Sequence, residues 1–216
     1  MEKALTTTLA HEFKRCKGAF RVYIILHQRL LAGGADEDIK IDCYSAYIDF
    51  VAHLYEFYLA CIKQDSRYPS KPTKDQIDEA MHFEATRLMN IRRDRILSGE
   101  APSWENHISV YEVKIPKEFG QSFRKVRNLR SHVNSQRVDF DLGEFYKNFH
   151  EFLFLMYQDC ICLWDVDKSN APKQDWGEIE NFTNAILPNI KTKSWIKKLR
   201  LRLFSRYLTN LYLKHN

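Results

Sequence analysis

Glycine and proline are scarce, seven and six among 216 residues. Tight turns depend on these two residue types, so a sandwich or barrel of many short strands is poorly served, and long helices with few connections are favoured. The shortage has a chemical side as well. Neither GxGxxG nor GxxxxGK[ST] occurs, which removes two common backbone cradles for nucleotide phosphates. HExxH and the EF-hand loop are also missing. The five cysteines (16, 43, 61, 160 and 162) are odd in number and form no CxxC pair, and Cys160 and Cys162 stand too close together for a zinc knuckle. Buried, reduced thiols are expected, with no metal and no cofactor. Long apolar runs are missing too. The strongest, Phe152 to Tyr157, is far short of the roughly 20 residues that span a bilayer. Met1 to Ala10 has no continuous apolar segment of the kind that exports a chain. A cytoplasmic protein is expected, with a membrane partner disfavoured.

What the chain does contain is a globular balance: 44% hydrophobic and 28% charged residues, enough to bury a core without covalent staples. The net charge of +5 is unevenly placed. Residues 190–216 hold eight of the 33 basic residues and none of the 28 acidic ones, so everything before them carries a net charge of −3. A basic whole chain here does not mean a uniformly basic surface.

Apolar residues recur every three or four positions in five long segments. The first runs from Ala4 to Leu31 and stops at Gly33-Gly34; the second runs from about Asp38 to Lys63. The third begins after Thr73, with Gln76 placed for a capping box, and ends near Leu97 at Ser98-Gly99. Between Ala101 and Pro116, Ile108, Val110, Val113 and Ile115 predict extended structure, either one short strand or an ordered loop. A fourth helix is predicted over Lys117 to about Val133. The fifth, Leu142 to Trp164, is the most hydrophobic and is expected at the centre of the core. A polar linker follows, then a short helix (Asp175 to Leu187) and a basic amphipathic segment (Thr192 to Lys214). The predicted architecture is an all-α, antiparallel helical bundle over residues 1–165, with a linker and C-terminal helices over 166–216.

Few residues are placed for chemistry. Asp78 and His82 are four apart on the third helix but have no third metal ligand on that face. His53 and Glu56, three apart among aromatics on the second helix, are candidates for supporting a site from behind. The segment that stands out is Lys125-Val-Arg-Asn-Leu-Arg-Ser-His-Val-Asn134, where Arg127, Asn128 and His132 form Arg-Asn-x3-His at the end of a helix, just before the long apolar one. A second pair, Arg21 and His27, has similar spacing, but Val22 follows the arginine and the histidine lies among Ile24, Ile25 and Leu30.

The Arg127-Asn128-x3-His132 motif, in this place in the helix order, resembles the HEPN superfamily, whose signature is an arginine, usually followed by a polar residue, and a histidine after four to six intervening residues. The likeness covers about the first 165 residues as an order of helices, and only the motif is sequence-specific. The resemblance implies a metal-independent endoribonuclease working as a homodimer in toxin–antitoxin systems, antiphage defence or RNA processing, restrained by an inhibitory or regulatory protein partner. The motif suits that chemistry. Histidine titrates near neutrality and moves a proton, while arginine offers a permanent fork to phosphate oxygens. Arg127 and His132 lie about 140° apart around a helix, which suits a cleft shared by two copies better than one site in a single chain. Arg124, Lys125, Arg130 and Arg137 are candidates for tracking an RNA backbone.

The rival reading is a non-catalytic helical module that binds RNA or nucleotides, or an adaptor. The basic tail carries Lys198, Arg202 and Arg206 on one face and Leu199, Leu203 and Tyr207 mainly on the other. It suits docking on an acidic body or dimer partner, RNA binding, or a membrane surface, in that order.

Overall fold

The structure, a computed structural model, describes residues 2–33, 36–69, 71–131, 140–164 and 177–186. Among them all regular structure is helical: α1 (Glu2–Leu31), α2 (Glu37–Gln64), α3 (Lys74–Leu97), a 3-10 turn (Ile108–Tyr111), α4 (Phe119–Ser131), α5 (Leu142–Trp164) and α6 (Gly177–Ile186). The protein is all-α, as its shortage of turn formers requires. No helix among the described residues is long and apolar enough to cross a membrane. The chain divides into two compact units, residues 1–172 and 173–216. In the second, α6 leaves Ile179 and Phe182 exposed. The basic segment 190–216 lies outside the described residues.

Helix ends follow local chemistry. The Asp36 carboxylate accepts from the Ile39 amide at 2.7 Å and starts α2. Thr73 and Gln76 form the reciprocal capping box that starts α3. Gly33 and Gly99, just past α1 and α3, have φ of +90° and +74°, a backbone that side chains disfavour.

The core is centred on α2, not on α5 as hydrophobicity alone predicts. Phe50, Val51 and Leu54 are wholly buried, and α2 packs against α1, α3, α4 and α5. From Ala46 to Leu59 every residue except Asp49 and Glu56 is buried, so the polar His53 in that stretch must find its partners inside. α4 contributes Phe119, Phe123, Val126 and Leu129, one buried stripe at spacings of four and three.

The 101–116 segment is not a strand. Its apolar residues do not alternate in use: Tyr111 and Ile115 are buried while Val110 and Val113 are exposed. An isolated strand would also leave its backbone groups unpaired. The connector is fastened by side chains instead. Glu105 accepts from Arg92 of α3 at 2.7 Å and from the Tyr111 hydroxyl at 2.5 Å, and the Asn106 amide donates to the same hydroxyl at 3.2 Å. Burial pushes the Glu105 carboxyl up, but hydrogen bonds from the Tyr111 hydroxyl, the Asn106 backbone N–H and Arg92 together outweigh it and hold it below its usual range.

After this connector α4 begins against the first turns of α3. Gly120 lies so close that a Cβ there would sit 2.0 Å from the Asp78 carbonyl oxygen. One turn on, Arg124 clasps the Asp78 side chain with both ends of its fork, at 2.9 and 2.8 Å.

Where α1, α2 and α5 meet, tyrosines and histidines pack together. Tyr23 donates to the Tyr146 hydroxyl at 3.2 Å, the Tyr47 hydroxyl meets His150 Nδ1 at 3.2 Å, and the His150 ring stacks on Tyr146. Burial, then the neighbouring His27, push His150 down to about 4. The unfolded ring titrates near 6.5. Its contribution is therefore complete above about pH 6.5 and is lost as the pH falls towards 4, because only the unfolded chain takes up the proton in that window. Allowing for the solvent that reaches the ring, this amounts to about 2 kcal/mol. Chemical denaturation at pH 7 and at pH 4.5 should show wild type losing about that much more stability than His150→Gln. Equal losses in the two proteins would remove His150 as the cause.

Candidate functional site

α4 carries three arginines at successive turns, Arg124, Arg127 and Arg130, beside its apolar stripe. α2 presents Asp49, His53 and Glu56 at spacings of four and three, one helical face. The two rows meet. Arg127 Nε donates to Glu56 Oε1 at 2.5 Å, Arg130 Nε lies 2.9 Å from Asp49 Oδ1, and Arg130 Nη1 lies 3.5 Å from His53 Nδ1.

Glu12 of α1 completes the seam through a short hydrogen bond with His53 Nδ1. An ionised carboxylate can only accept, so it places the proton of that nitrogen and fixes the ring. His53 is the one buried polar residue of the described core, and Glu12 and Arg130 are what it meets there. Asn128 turns its side-chain oxygen to Arg127 Nη1 at 3.1 Å, and the Arg127 guanidinium also lies 6.0 Å from the Tyr55 ring. The guanidinium is thus gripped from three directions while keeping 36% of its side-chain surface exposed.

His53 and Glu56 are therefore drawn to Arg127 and Arg130. Asn128 serves Arg127 directly. Arg124 is held by Asp78 and is largely buried, so it is a fastening of α4 to α3 and not a loose backbone-tracking cation. Lys125 is exposed. His132 and Arg137 lie outside the described residues. Of the two weaker constellations, Asp78 belongs to Arg124, and His82 Nε2 meets the Ile115 carbonyl at 3.2 Å, so they do not face one centre. His27 stacks on Tyr23, with ring centroids 5.5 Å apart, while Arg21 is exposed.

Comparison of the chain with family models, with curated proteins and with solved structures finds no match. Among the described residues no three His, Cys, Asp or Glu side chains are placed to hold a metal ion together.

Glu12 and Asp49 escaped the sequence reading. They meet residues 41 and 81 positions away, and only the packing of three helices makes those contacts. A partial signal existed in the Asp49, His53, Glu56 spacing, a polar stripe on a helix otherwise rich in buried aromatics.

Proposed function

We propose that the chain is a HEPN-like, metal-independent endoribonuclease that works as a homodimer. The observation that carries this reading is Arg127: a guanidinium braced by Glu56 and Asn128 yet still open to solvent, five residues before His132 in the sequence. A cation held ready where negative charge develops is what phosphoryl transfer asks of a protein.

In the proposed reaction the ribose 2′-oxygen attacks the adjacent phosphorus. The new P–O2′ bond forms as the P–O5′ bond breaks, and the products end in a 2′,3′-cyclic phosphate and a 5′-hydroxyl. His132 moves the proton. Arg127 stabilises the charge on the phosphorane oxygens, and Asn128 orients Arg127. Arginine and histidine, five residues apart in the sequence, converge on a linkage when a second copy completes the cleft.

The test is a product analysis of RNA incubated with the purified full chain in EDTA. Cyclic phosphate and 5′-hydroxyl ends are expected. Intact RNA, or fragments with 3′-hydroxyl ends, would overturn the nuclease reading; intact RNA retained by the protein would place the chain among binding modules.

A further inference from the structure

The three arginines of α4 each have their own carboxylate, and the pairs differ in a graded way. Arg124 and Asp78 keep 22% and 14% of their side-chain surfaces, Arg127 and Glu56 36% and 34%, Arg130 and Asp49 40% and 48%. The first pair is bidentate. The second rests on a single Nε contact to the carboxylate. Moving along α4, the ion pairs become steadily more open to solvent.

We propose that Glu56 and Asp49 are latches on a two-arginine phosphate cradle, and that one RNA strand opens it by putting two of its phosphates in place of the two carboxylates. This rests on the RNA reading above. Open ion pairs are weak, because water screens both partners and two long side chains must be held still. A backbone phosphate offers two oxygens to the arginine fork, a better match than the single contact Glu56 makes with Arg127. Arg127 and Arg130 are neighbours on one helix face, near the spacing of consecutive phosphates along a strand.

The latch has a consequence for selectivity. With both carboxylates in place the cradle is neutral and holds little attraction for stray anions. A mononucleotide or inorganic phosphate displaces one carboxylate at a time. A strand displaces both in one binding event, so the latched cradle prefers a linear polyanion. Arg124, clasped by Asp78 and the least exposed of the three, takes no part.

The probe is a labelled RNA of about 12 nucleotides, fully 2′-O-methylated so that it cannot be cleaved by its own 2′-oxygen. It is titrated into the full chain over a series of salt concentrations. Glu56→Gln and Asp49→Asn should each tighten binding by about two- to five-fold and steepen the log–log salt slope by up to about 0.7, because the carboxylate that wild type sets free on binding recaptures a cation and the amide does not. The Glu56→Gln gain should vanish in Glu56→Gln/Arg127→Ala. Asp78→Asn should leave the slope unchanged and lower the melting temperature. An unchanged slope in both latch variants, a gain that survives the loss of Arg127, or no binding by any of these proteins would overturn the latch. Because the probe is inert, a chain that binds it as expected but fails the product analysis keeps the latch and loses the nuclease reading. A chain that cleaves RNA with unchanged slopes does the reverse.

Discussion

Gly120→Ala should destabilise the protein by about 3–5 kcal/mol, at the severe end for one added methyl group. In most helices the same change is favourable by up to about 1 kcal/mol, because glycine is a poor helix former. Here the new carbon would lie 2.0 Å from a backbone oxygen and 2.7 Å from the Cα of Asp78. Neither belongs to a flexible side-chain tip, so α4 must move away from α3. That movement would also pull Arg124 from the carboxylate it grips one turn later. Gly18, exposed in α1, is the contrast: a Cβ there meets nothing within 4 Å, and Gly18→Ala should stabilise. Thermal melts of the two variants should shift in opposite directions, the Gly120 variant downward by about 10 °C. A Gly120→Ala protein that melts with wild type would mean that the helices are not in this close contact.

His132→Ala should slow RNA cleavage by about 10²- to 10⁴-fold, the usual contribution of a positioned proton-transfer group, with the melting temperature unchanged. Arg127→Ala should be of similar severity, and Arg127→Lys should recover only part of the loss, since an ammonium offers a point charge where a fork is needed. Single-turnover rates on a cleavable RNA, measured in EDTA, decide the matter. Full activity after removal of the imidazole would take His132 out of the mechanism.

The helices were legible because their signals are local. The Thr73–Gln76 box and the stops at Gly33 and Gly99 act within one turn, and period-three-to-four apolar spacing marks everything between. For the 101–116 connector the sequence leaves strand and ordered loop both open, because four β-branched residues look like a strand when their partners are ignored; Tyr111, Glu105 and Arg92 decide for the loop, and that knot spans α3 and the connector. The centre of the core was also displaced. α5 is the more hydrophobic helix and also meets four others, but α2 is buried through its whole middle apart from Asp49 and Glu56, and topology is not written in composition. At the site, Arg127 and Asn128 could be named from spacing, and His53 and Glu56 suspected. Which carboxylate answers which arginine could not be, since Asp78 arrives from α3 and Asp49 and Glu56 from α2, nor could Glu12 of α1 be placed beside His53.

The Arg92–Glu105–Tyr111 knot gives the irregular connector a mechanical character. It is tied to α3 at one end and runs straight into α4 at the other. Local opening of the connector therefore loosens the start of the helix that bears Arg127, and the two should exchange their slowest amide protons for deuterium together, as one cooperative unit.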